Sequence, residues 1–393
     1  MNNYLSSRNK RICCGCGLCA FRCPKNCIHM EEDAEGFCYP IIESDKCIKC
    51  GLCARVCPFE NQPKNERANI QAYAANSVND EILLNSSSGG VFSEIALRFL
   101  NEGGFVCGAS IDEKHQVKHI TICTPEDLNK LQGSKYVQSD LHTGLQEFQN
   151  ALKSGKRVLF VGTPCQVAAV RNAFKDSNLF TIDVLCHGVP SQKLFDHYIS
   201  YLEQKHGGIL TDIFFRDKEK NGWSITQKYV IQKKGTKKNY YLDRHLSEYF
   251  SGFLRNMTQR ESCYCCPFTS IERCGDLTLA DFWGIEKVHP EYYNASGTSL
   301  VLVNSHKGRD LFADIRDSIV SHNVTLDDAM VQNPNFSMPP KREKERDCIY
   351  HDVFEYGFKQ IGKRYILPSN AYKYRIAALL GMNIAKLSRR RKK

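Results

Sequence analysis

Eight cysteines near the start of the chain have a spacing that suits iron–sulfur chemistry. Residues 13–24 and 47–58 each read C-x-x-C-x-x-C-x-x-x-C-P. Cysteines with this spacing bind a pair of [4Fe–4S] clusters. Three cysteines of a run bind one cluster, and the fourth binds the cluster held by the other run. Iron in such clusters takes thiolate ligands, and gaps of two residues let one tight loop reach three corners of a cube. The predicted ligand sets are Cys13, Cys16, Cys19 and Cys57 for one cluster, and Cys47, Cys50, Cys53 and Cys23 for the other.

Zinc knuckles and a disulfide framework are the alternatives for this repeat. Zinc sites commonly use two C-x-x-C pairs, whereas each run here has three evenly spaced thiols and a fourth beyond them. Cys14, Cys27 and Cys38 lie outside the pattern and are interpreted as small buried hydrophobic residues. The repeat therefore predicts a two-cluster module of the bacterial ferredoxin type, which we place in residues 1–62.

The composition limits the class of protein. The chain has 393 residues, of which 42% are hydrophobic and 24% charged, and twenty are cysteines. It contains no apolar run long enough to span a membrane, and its first residues lack the apolar segment of a signal peptide. Many cysteines without a secretion signal favour metal ligation in a reducing compartment over disulfides. We expect a cytoplasmic protein.

The region from 155 to 190 predicts a βαβ unit. Residues 157–161 form an apolar run typical of a buried strand, 166–174 have helical spacing, and 179–185 form the next strand. A strand–helix–strand crossover brings the carboxyl ends of both strands to one edge of the sheet. Cys165 and Cys186 follow these two ends, so we expect them to lie side by side where open α/β sheets bind ligands.

A second pair of cysteines suggests a role for the pair Cys165 and Cys186. Residues 262–267 read SCYCCP and place Cys263 and Cys266 in a C-x-x-C pair. Together with Cys165 and Cys186 they predict a site for a third [4Fe–4S] cluster. Zinc in a four-thiolate site is the alternative, and Cys265 is the alternative to Cys266 as a ligand.

Several other residues are candidates for contacts with a cofactor or substrate. Residues 86–90, SSSGG, open a predicted helix, where backbone N–H groups favour an anion such as a phosphate; an ordinary helix cap is the alternative. The strand at 276–281 ends in Asp281 beside two aromatic residues suited to stacking on a flat ring or to the core. His187 is a candidate proton donor, with a structural hydrogen bond as the alternative.

The net charge of +10 is concentrated at the end of the chain. Residues 371–393 carry eight basic residues and no acidic residue, with apolar residues at helical spacing. Such a basic amphipathic helix binds anionic membrane surfaces or partner proteins, and a solvated tail is the alternative. No nucleic-acid-binding motif accompanies it, so no nucleic acid is expected as a partner.

The large domain resembles the beta subunit family of coenzyme F420 hydrogenases and dehydrogenases. The resemblance is carried by SSGG at 87–90, GSKYVQS at 133–139, GTPCQV at 162–167, Cys186, SCYxC at 262–266 and DLTLADFWG at 276–284. It implies a bound FAD and a cluster held by Cys165, Cys186, Cys263 and Cys266. The flavin contacts it implies are Ser88, Gly89, Gly90, Ser134, Lys135 and Tyr136, to which we add Asp281.

These observations predict an α/β protein (α+β overall) in four segments. They are the ferredoxin module at 1–62, the N-terminal and C-terminal regions of the beta subunit at 63–150 and 151–365, and a basic helical tail at 366–393. The predicted function is an iron–sulfur flavoprotein oxidoreductase that passes electrons between three [4Fe–4S] clusters and FAD to act on an organic substrate, with a redox protein or reduced cofactor as partner. The alternative is an electron-transfer subunit without a substrate of its own. The basic tail is predicted to dock on a partner protein or on the inner face of the membrane.

Overall fold

The computed structural model describes residues 4–65 and 70–367, together with residues 373 and 376. The strands are β1 (Ile28–Glu32), β2 (Cys38–Ile42), β3 (Gln71–Ser77), β4 (Phe105–Ile111), β5 (Val117–Ile122), β6 (Val158–Gly162), β7 (Leu179–Val184), β8 (Ile209–Phe214), β9 (Thr226–Lys233), β10 (Thr236–Asp243), β11 (Leu277–Asp281), β12 (Ser299–Val303) and β13 (Ile319–Val324). The α-helices are α1 (Tyr4–Ser7), α2 (Leu18–Phe21), α3 (Leu52–Val56), α4 (Asp80–Asn85), α5 (Val91–Asn101), α6 (His142–Lys153), α7 (Pro164–Ala173), α8 (Gln192–His206), α9 (Glu248–Leu254), α10 (Ile285–Val288), α11 (His306–Ala313), α12 (Leu326–Met330) and α13 (Ile349–Ile361).

The chain divides into two compact units. The first comprises residues 1–132, 138–188 and 260–340, and the second comprises 133–137, 189–259 and 341–393. The predicted ferredoxin module belongs to the first unit. Each predicted segment is one continuous stretch of sequence, whereas each compact unit comprises three separate stretches. The segment boundaries stay a prediction.

An eight-stranded mixed sheet forms the centre of the first unit. Its strand order is β13-β3-β12-β11-β7-β6-β4-β5. Strands β4, β6, β7 and β11 pair in parallel, and β12 runs antiparallel to both β11 and β3. Strand β3 therefore points the same way as the parallel strands. The carboxyl ends of β3, β6, β7 and β11 lie along one edge of the sheet, called the carboxyl edge below.

The predicted βαβ unit is confirmed. Strands β6 and β7 are parallel neighbours, with Val158 opposite Leu179 and Gly162 opposite Asp183, and α7 connects them. The sequence VLFVG in β6 is apolar almost throughout because both faces of the strand are covered. Thr163 caps α7 in a capping box, with Gln166 completing it, which sets where the helix begins.

Hydrophobic clusters cover both faces of this sheet. One contains Leu159 of β6, Ile182 of β7 and Phe99 of α5. The other contains the neighbouring residue Phe160, helix α7 and helix α6. Leu18 and Val56 of the ferredoxin module, both almost fully buried, belong to this second cluster. The two short helices that follow the cysteine loops are thus anchored in the same core as α7.

The second unit contains an antiparallel sheet of order β10-β9-β8 and an aromatic core. Phe195 and Tyr198 of α8 contact Tyr249 of α9, with ring centroids 5.5 Å and 5.1 Å apart, and Phe358 of α13 packs edge-on against Tyr198. Buried aromatic rings supply large apolar area with little loss of side-chain entropy, so they can hold a small unit together. The predicted basic tail lies outside the described residues, apart from the single positions 373 and 376.

Candidate iron–sulfur sites

The four thiols predicted for the first cluster line one cavity. Its walls include Cys13, Cys16, Cys19 and Cys57, and also two cysteines outside the predicted set, Cys14 and Cys53. Apolar residues, including Ile12, Met30, Pro40 and Val56, make up much of the remaining wall. Thiolate donors around an apolar cavity fit an iron–sulfur cluster, whose sulfides need little hydration. We call these four cysteines the first-run site.

Cys57 joins the first-run site although it belongs to the second cysteine run. Burial raises the pKa of the Cys19 thiol, and the neighbouring Cys13 and Cys57 raise it further. Electrostatic interaction between Cys19 and Cys57 places the fourth cysteine of the second run beside the first run. Cys53 of the second run acts on Cys19 as well, so the crossed assignment of Cys57 stays a prediction.

The remaining cysteines of the repeat form a second group. Burial raises the pKa of Cys53, and Cys47 and Cys50 add to the effect. The Sγ atoms of Cys23 and Cys27 lie 3.4 Å apart, and Cys27 also interacts with Cys47. We call Cys23, Cys47, Cys50 and Cys53 the second-run site. Its Cys50 is exposed at the surface.

Three thiols lie near one another at the carboxyl edge of the large sheet. Cys165 begins α7 after β6, Cys186 follows β7, and Cys266 follows a 3-10 turn at Glu261–Cys265. Burial raises the pKa of Cys186 to about 12, with a further contribution from Cys165, and Cys266 is affected by both. Cys263 lies on the 3-10 turn itself, where its thiol interacts with Arg260. We call Cys165, Cys186, Cys263 and Cys266 the third site.

Two other cysteines near the third site, the alternative ligand Cys265 and Cys274, form hydrogen bonds elsewhere. The thiol of Cys265 donates to the carbonyl of Arg11 at 3.2 Å. Cys274 is fully enclosed, and its thiol donates to the carbonyl of Pro164 at 3.1 Å. The structure thus places Cys266, rather than Cys265, beside Cys165 and Cys186.

Cys14 connects the first-run site to the third site. The neighbouring thiol of Cys16 is the main cause that raises the pKa of Cys14, and the thiol of Cys165 also acts on it. The pKa of Cys165 is raised in turn, first by the neighbouring Cys14 and then by burial. The sequence interpretation of Cys14 as an apolar core residue therefore misses its position between two groups of candidate ligands.

Two buried arginines accompany the thiol groups, and neither was singled out from the sequence. Arg273 forms a buried ion pair with Asp183, at 2.5 Å, with both side chains at most 1% exposed. Asp183 also accepts from the backbone N–H of Gly275 at 2.7 Å and from the hydroxyl of Thr278 at 3.0 Å. Arg273 acts on Cys186 and Cys266, so a positive charge lies beside the third site.

Arg260 lies beside the first-run site. Its Nε donates to the carbonyl of Cys13 at 2.7 Å, and Nη2 donates to the carbonyl of Cys38 at 2.9 Å. Nη1 donates to Oε1 of Gln138 at 3.1 Å, and the amide of Gln138 donates to the carbonyl of Cys14 at 3.0 Å. Gln138 lies in the GSKYVQS segment, but nothing in the spacing of the sequence indicates that Arg260 and Gln138 reach the first cysteine loop, because both are distant from it in the chain.

The Ser88–Gly90 segment also lies at the carboxyl edge. Ser88 Oγ donates to the carbonyl of Thr298 at 2.9 Å, and the N–H of Gly89 donates to Ser299 Oγ at 2.9 Å. A Cβ on Gly89 would lie 2.3 Å from the carbonyl oxygen of Ala75, so close packing on the sheet explains this glycine. The role of the segment in holding a flavin stays a prediction.

Two further candidates follow strands at the same edge. Asp281 ends β11, and its carbonyl accepts from Nδ2 of Asn333 at 3.2 Å. His187 directly follows Cys186, and its Nδ1 lies 3.2 Å from Oδ1 of Asn335. That contact agrees with the structural alternative for His187, and a catalytic role is not tested.

Ser134, Lys135 and Tyr136 belong to the second unit. The Tyr136 ring packs against Phe215, Phe250 and Phe253, with centroids 5.2 to 5.8 Å apart. Burial lowers the pKa of Lys135 to about 7. Contacts of these three residues with a flavin stay a prediction.

Two negative findings apply to the described part of the chain. No three Cys, His, Asp or Glu side chains in it converge as ligands of a single metal ion would. No helix among residues 4–65 and 70–367 is long and apolar enough to cross a membrane.

Family models match most of the chain. The N-terminal model of the coenzyme F420 hydrogenase/dehydrogenase beta subunit matches residues 72–146, and the C-terminal model matches 155–328. A 4Fe–4S binding domain matches residues 40–61, which include the second cysteine run. No curated protein matches this chain.

One solved structure with a similar chain is that of the xenon-derivatised F420-reducing [NiFe] hydrogenase complex from Methanosarcina barkeri. The similarity has a TM-score of 0.44 and 16% sequence identity, and it covers 78% of this chain and 95% of that chain.

The fold and the cysteine sites define an iron–sulfur electron-transfer protein with a mixed α/β core and a ferredoxin-like N-terminal region. More specifically, the chain belongs to the coenzyme F420 hydrogenase/dehydrogenase beta subunit family, a family of oxidoreductase subunits.

Proposed function

We propose that this protein is an iron–sulfur flavoprotein oxidoreductase with three [4Fe–4S] clusters and FAD. When bound, the clusters would supply one-electron carriers, and the flavin would supply the conversion to two-electron chemistry that most organic substrates need. The first-run, second-run and third sites would each hold one cluster through their four thiolates. The proposed substrate is an organic acceptor or donor, such as a deazaflavin of the coenzyme F420 type.

The observation that carries this proposal is the common core of the ferredoxin module and α7. Leu18 and Val56 pack in the same hydrophobic cluster as Val167 of α7, and Cys16 and Cys165 pack against that cluster. Helix α7 begins with a ligand of the third site, so packing that orients the helix also orients that thiol. Electron carriers must be close and fixed to exchange electrons, and a common core meets both conditions.

The second support is the set of polar residues at the carboxyl edge. Ser88–Gly90, Asp281 and the thiols Cys165 and Cys186 all follow strands that end there. Open α/β sheets bind their ligands outside the carboxyl ends of the strands. A flavin held at this edge would lie next to the third site, which is where two-electron and one-electron carriers must meet.

Metal and flavin contents test the proposal directly. Protein purified without oxygen is expected to contain about twelve irons per chain, as three cubanes of four, with a flavin absorbance band. A content of eight irons and one zinc would indicate a structural zinc site in place of the third cluster. Absence of the flavin band would contradict the proposal that the protein binds FAD. Cys266→Ala should lose about four irons, whereas Cys265→Ala, its neighbour on the same turn, should lose none.

Turnover separates the enzyme from a relay subunit. The flavin-loaded protein is assayed alone with reduced ferredoxin, NAD(P)H and reduced coenzyme F420 as donors. Turnover of a small molecule by the single chain supports the oxidoreductase. Reduction of its clusters without any turnover would show the alternative, a subunit that passes electrons to a partner enzyme.

A further inference from the structure

A buried positive charge at the first-run site has no carboxylate partner. Arg260 is 0% exposed, and none of its hydrogen-bond partners among the described residues is a carboxylate. Its partners are two backbone carbonyls, the amide oxygen of Gln138 and, at 3.8 Å, the Sγ atom of Cys13. Burying a guanidinium without a counter-charge is unfavourable, so some negative group must offset this charge.

The surroundings of Arg260 identify that negative group. The guanidinium stacks on the ring of Tyr39, 4.1 Å from its centroid, and lies 5.3 Å from the centroid of Phe37. The Sγ atom of Cys13 accepts from Nη2 of Arg260 at 3.8 Å. Cys13 is a predicted ligand of the first-run cluster. A thiolate-ligated cluster carries net negative charge, and it is the anion that this arginine faces.

The second buried arginine shows the contrast. Arg273 lies near the thiols of the third site, but its charge is matched by Asp183 at 2.5 Å. A matched pair has a weak external field, because the two charges largely cancel beyond their own separation. Arg260 has no such partner among the described residues, so its field acts on the first-run site.

We propose that Arg260 is a tuning residue that raises the reduction potential of the cluster in the first-run site above that of the cluster in the second-run site. The proposal rests on the proposed function, since it requires clusters at both sites. Reduction adds one electron to a cluster and makes its charge more negative. A fixed positive charge in a buried environment stabilises that reduced form, and net charge and hydrogen bonds to sulfur are known determinants of cluster potentials.

This difference gives electron flow a direction inside the module. Cys50 of the second-run site is exposed, whereas Cys16 of the first-run site packs against the same hydrophobic cluster as Cys165 of the third site. An electron delivered to the second-run cluster would reduce it, and transfer of that electron would reoxidise the second-run cluster while reducing the first-run cluster by one electron. The higher potential of the first-run cluster holds the electron on the side facing the third site.

The test is a redox titration of the whole protein followed by electron paramagnetic resonance, which resolves the two ferredoxin-type clusters. Arg260→Gln should shift the first-run potential to a more negative value and leave the second-run potential unchanged. Arg260→Lys keeps the charge, and its first-run reduction potential should lie between those of the wild type and Arg260→Gln. Lys10→Gln is the matched control, because Lys10 lies over the same Tyr39 ring but is 46% exposed and paired with Asp33.

Each outcome decides the inference. Equal shifts of both potentials, or no shift in Arg260→Gln, would overturn it. If Arg260→Gln loses about four irons and Arg260→Lys keeps them, the charge is required at that site, whereas the same loss in both variants would assign Arg260 a purely geometric role. Gln138→Glu gives an independent reading: it adds a carboxylate to Nη1 of Arg260 and should lower the same potential. Failure of the proposed function would look different, since the wild type would then lack the cluster signals.

Discussion

The thiols of Cys14 and Cys165, 151 positions apart in the chain, lie close enough for each to shift the pKa of the other. One residue belongs to the first cysteine loop and the other begins the helix after β6. Both side chains are thiols, the ligand type that iron–sulfur clusters take, but only Cys165 is a predicted ligand. Their proximity raises the question of whether Cys14 also binds iron.

Replacing Cys14 answers that question. Cys14→Ala is expected to keep about twelve irons per chain, because each proposed cluster already has four other thiolates. Iron and sulfide analysis of the anaerobic protein is the measurement. Cys263→Ala is the comparison and should lose about four irons. The reverse result would make Cys14 the fourth ligand of the third cluster in place of Cys263.

Gly15 tests how tightly the first cysteine loop is held. Gly15 has φ +68°, and an added Cβ would lie 2.7 Å from both Nη1 of Arg260 and Nε2 of Gln138. Gly15→Ala is expected to cost about 1–2 kcal/mol for the left-handed backbone and about 1–3 kcal/mol more for the overlap.

Gly17 is the natural control for this experiment. It has φ +72°, but a Cβ there would meet nothing within 4 Å. Gly17→Ala should therefore show only the backbone cost of about 1–2 kcal/mol. Thermal unfolding of the two variants gives the difference. Equal losses of stability would mean that Arg260 and Gln138 do not hold the loop.

The buried pair of Arg273 and Asp183 should be essential for the third site. Asp183→Asn leaves a buried guanidinium without its counter-charge and is expected to cost about 3–5 kcal/mol. Unfolding in urea measures the loss, and iron analysis should show reduced occupancy of the third site.

An exposed pair gives the control. Lys64 and Glu272 are 3.2 Å apart, with side chains 48% and 39% exposed. Glu272→Gln is expected to change stability by less than about 1 kcal/mol, because water screens this pair. A similar loss in both variants would show that burial does not determine the strength of the Arg273 pair.

Lys135 should make stability depend on pH. Burial lowers its pKa from 10.5 to about 7 in the folded protein. Between these two values the unfolded chain binds a proton that the folded chain has released, so the free energy of unfolding should rise as the pH increases from 7 towards 10. Below pH 7 Lys135 is protonated in both states, so it no longer makes the free energy of unfolding depend on pH.

Two lysine variants measure that dependence. Lys135→Met should reduce the increase in the urea unfolding midpoint between pH 7 and pH 9. Lys153→Met replaces an exposed lysine in the last turn of α6 and should leave the increase as it is. An unchanged increase in Lys135→Met would assign the pH dependence to other groups.

Much of the architecture was predictable because its signals are local. The apolar runs at 157–161 and 179–185 lie within one residue of β6 and β7, and the capping sequence at Thr163 marks the start of α7. Register across distant strands was not predictable in this way. The antiparallel insertion of β12 between β11 and β3 depends on pairing over more than 200 positions, for which one sequence carries no local signal.

By itself, the sequence determined the chemistry of this protein. Repeated C-x-x-C-x-x-C-x-x-x-C-P runs specify thiolate ligands at intervals set by covalent geometry, so the type of site and its candidate ligands can be read from spacing alone. Only the tertiary structure decided which groups surround those ligands. Arg260 and Gln138 reach the first loop, and Cys14 reaches Cys165, because burial of Leu18 and Val56 in the core of the large sheet brings distant segments together. Hydrophobic burial is non-directional along the chain, and for that reason these neighbours have no sequence signature.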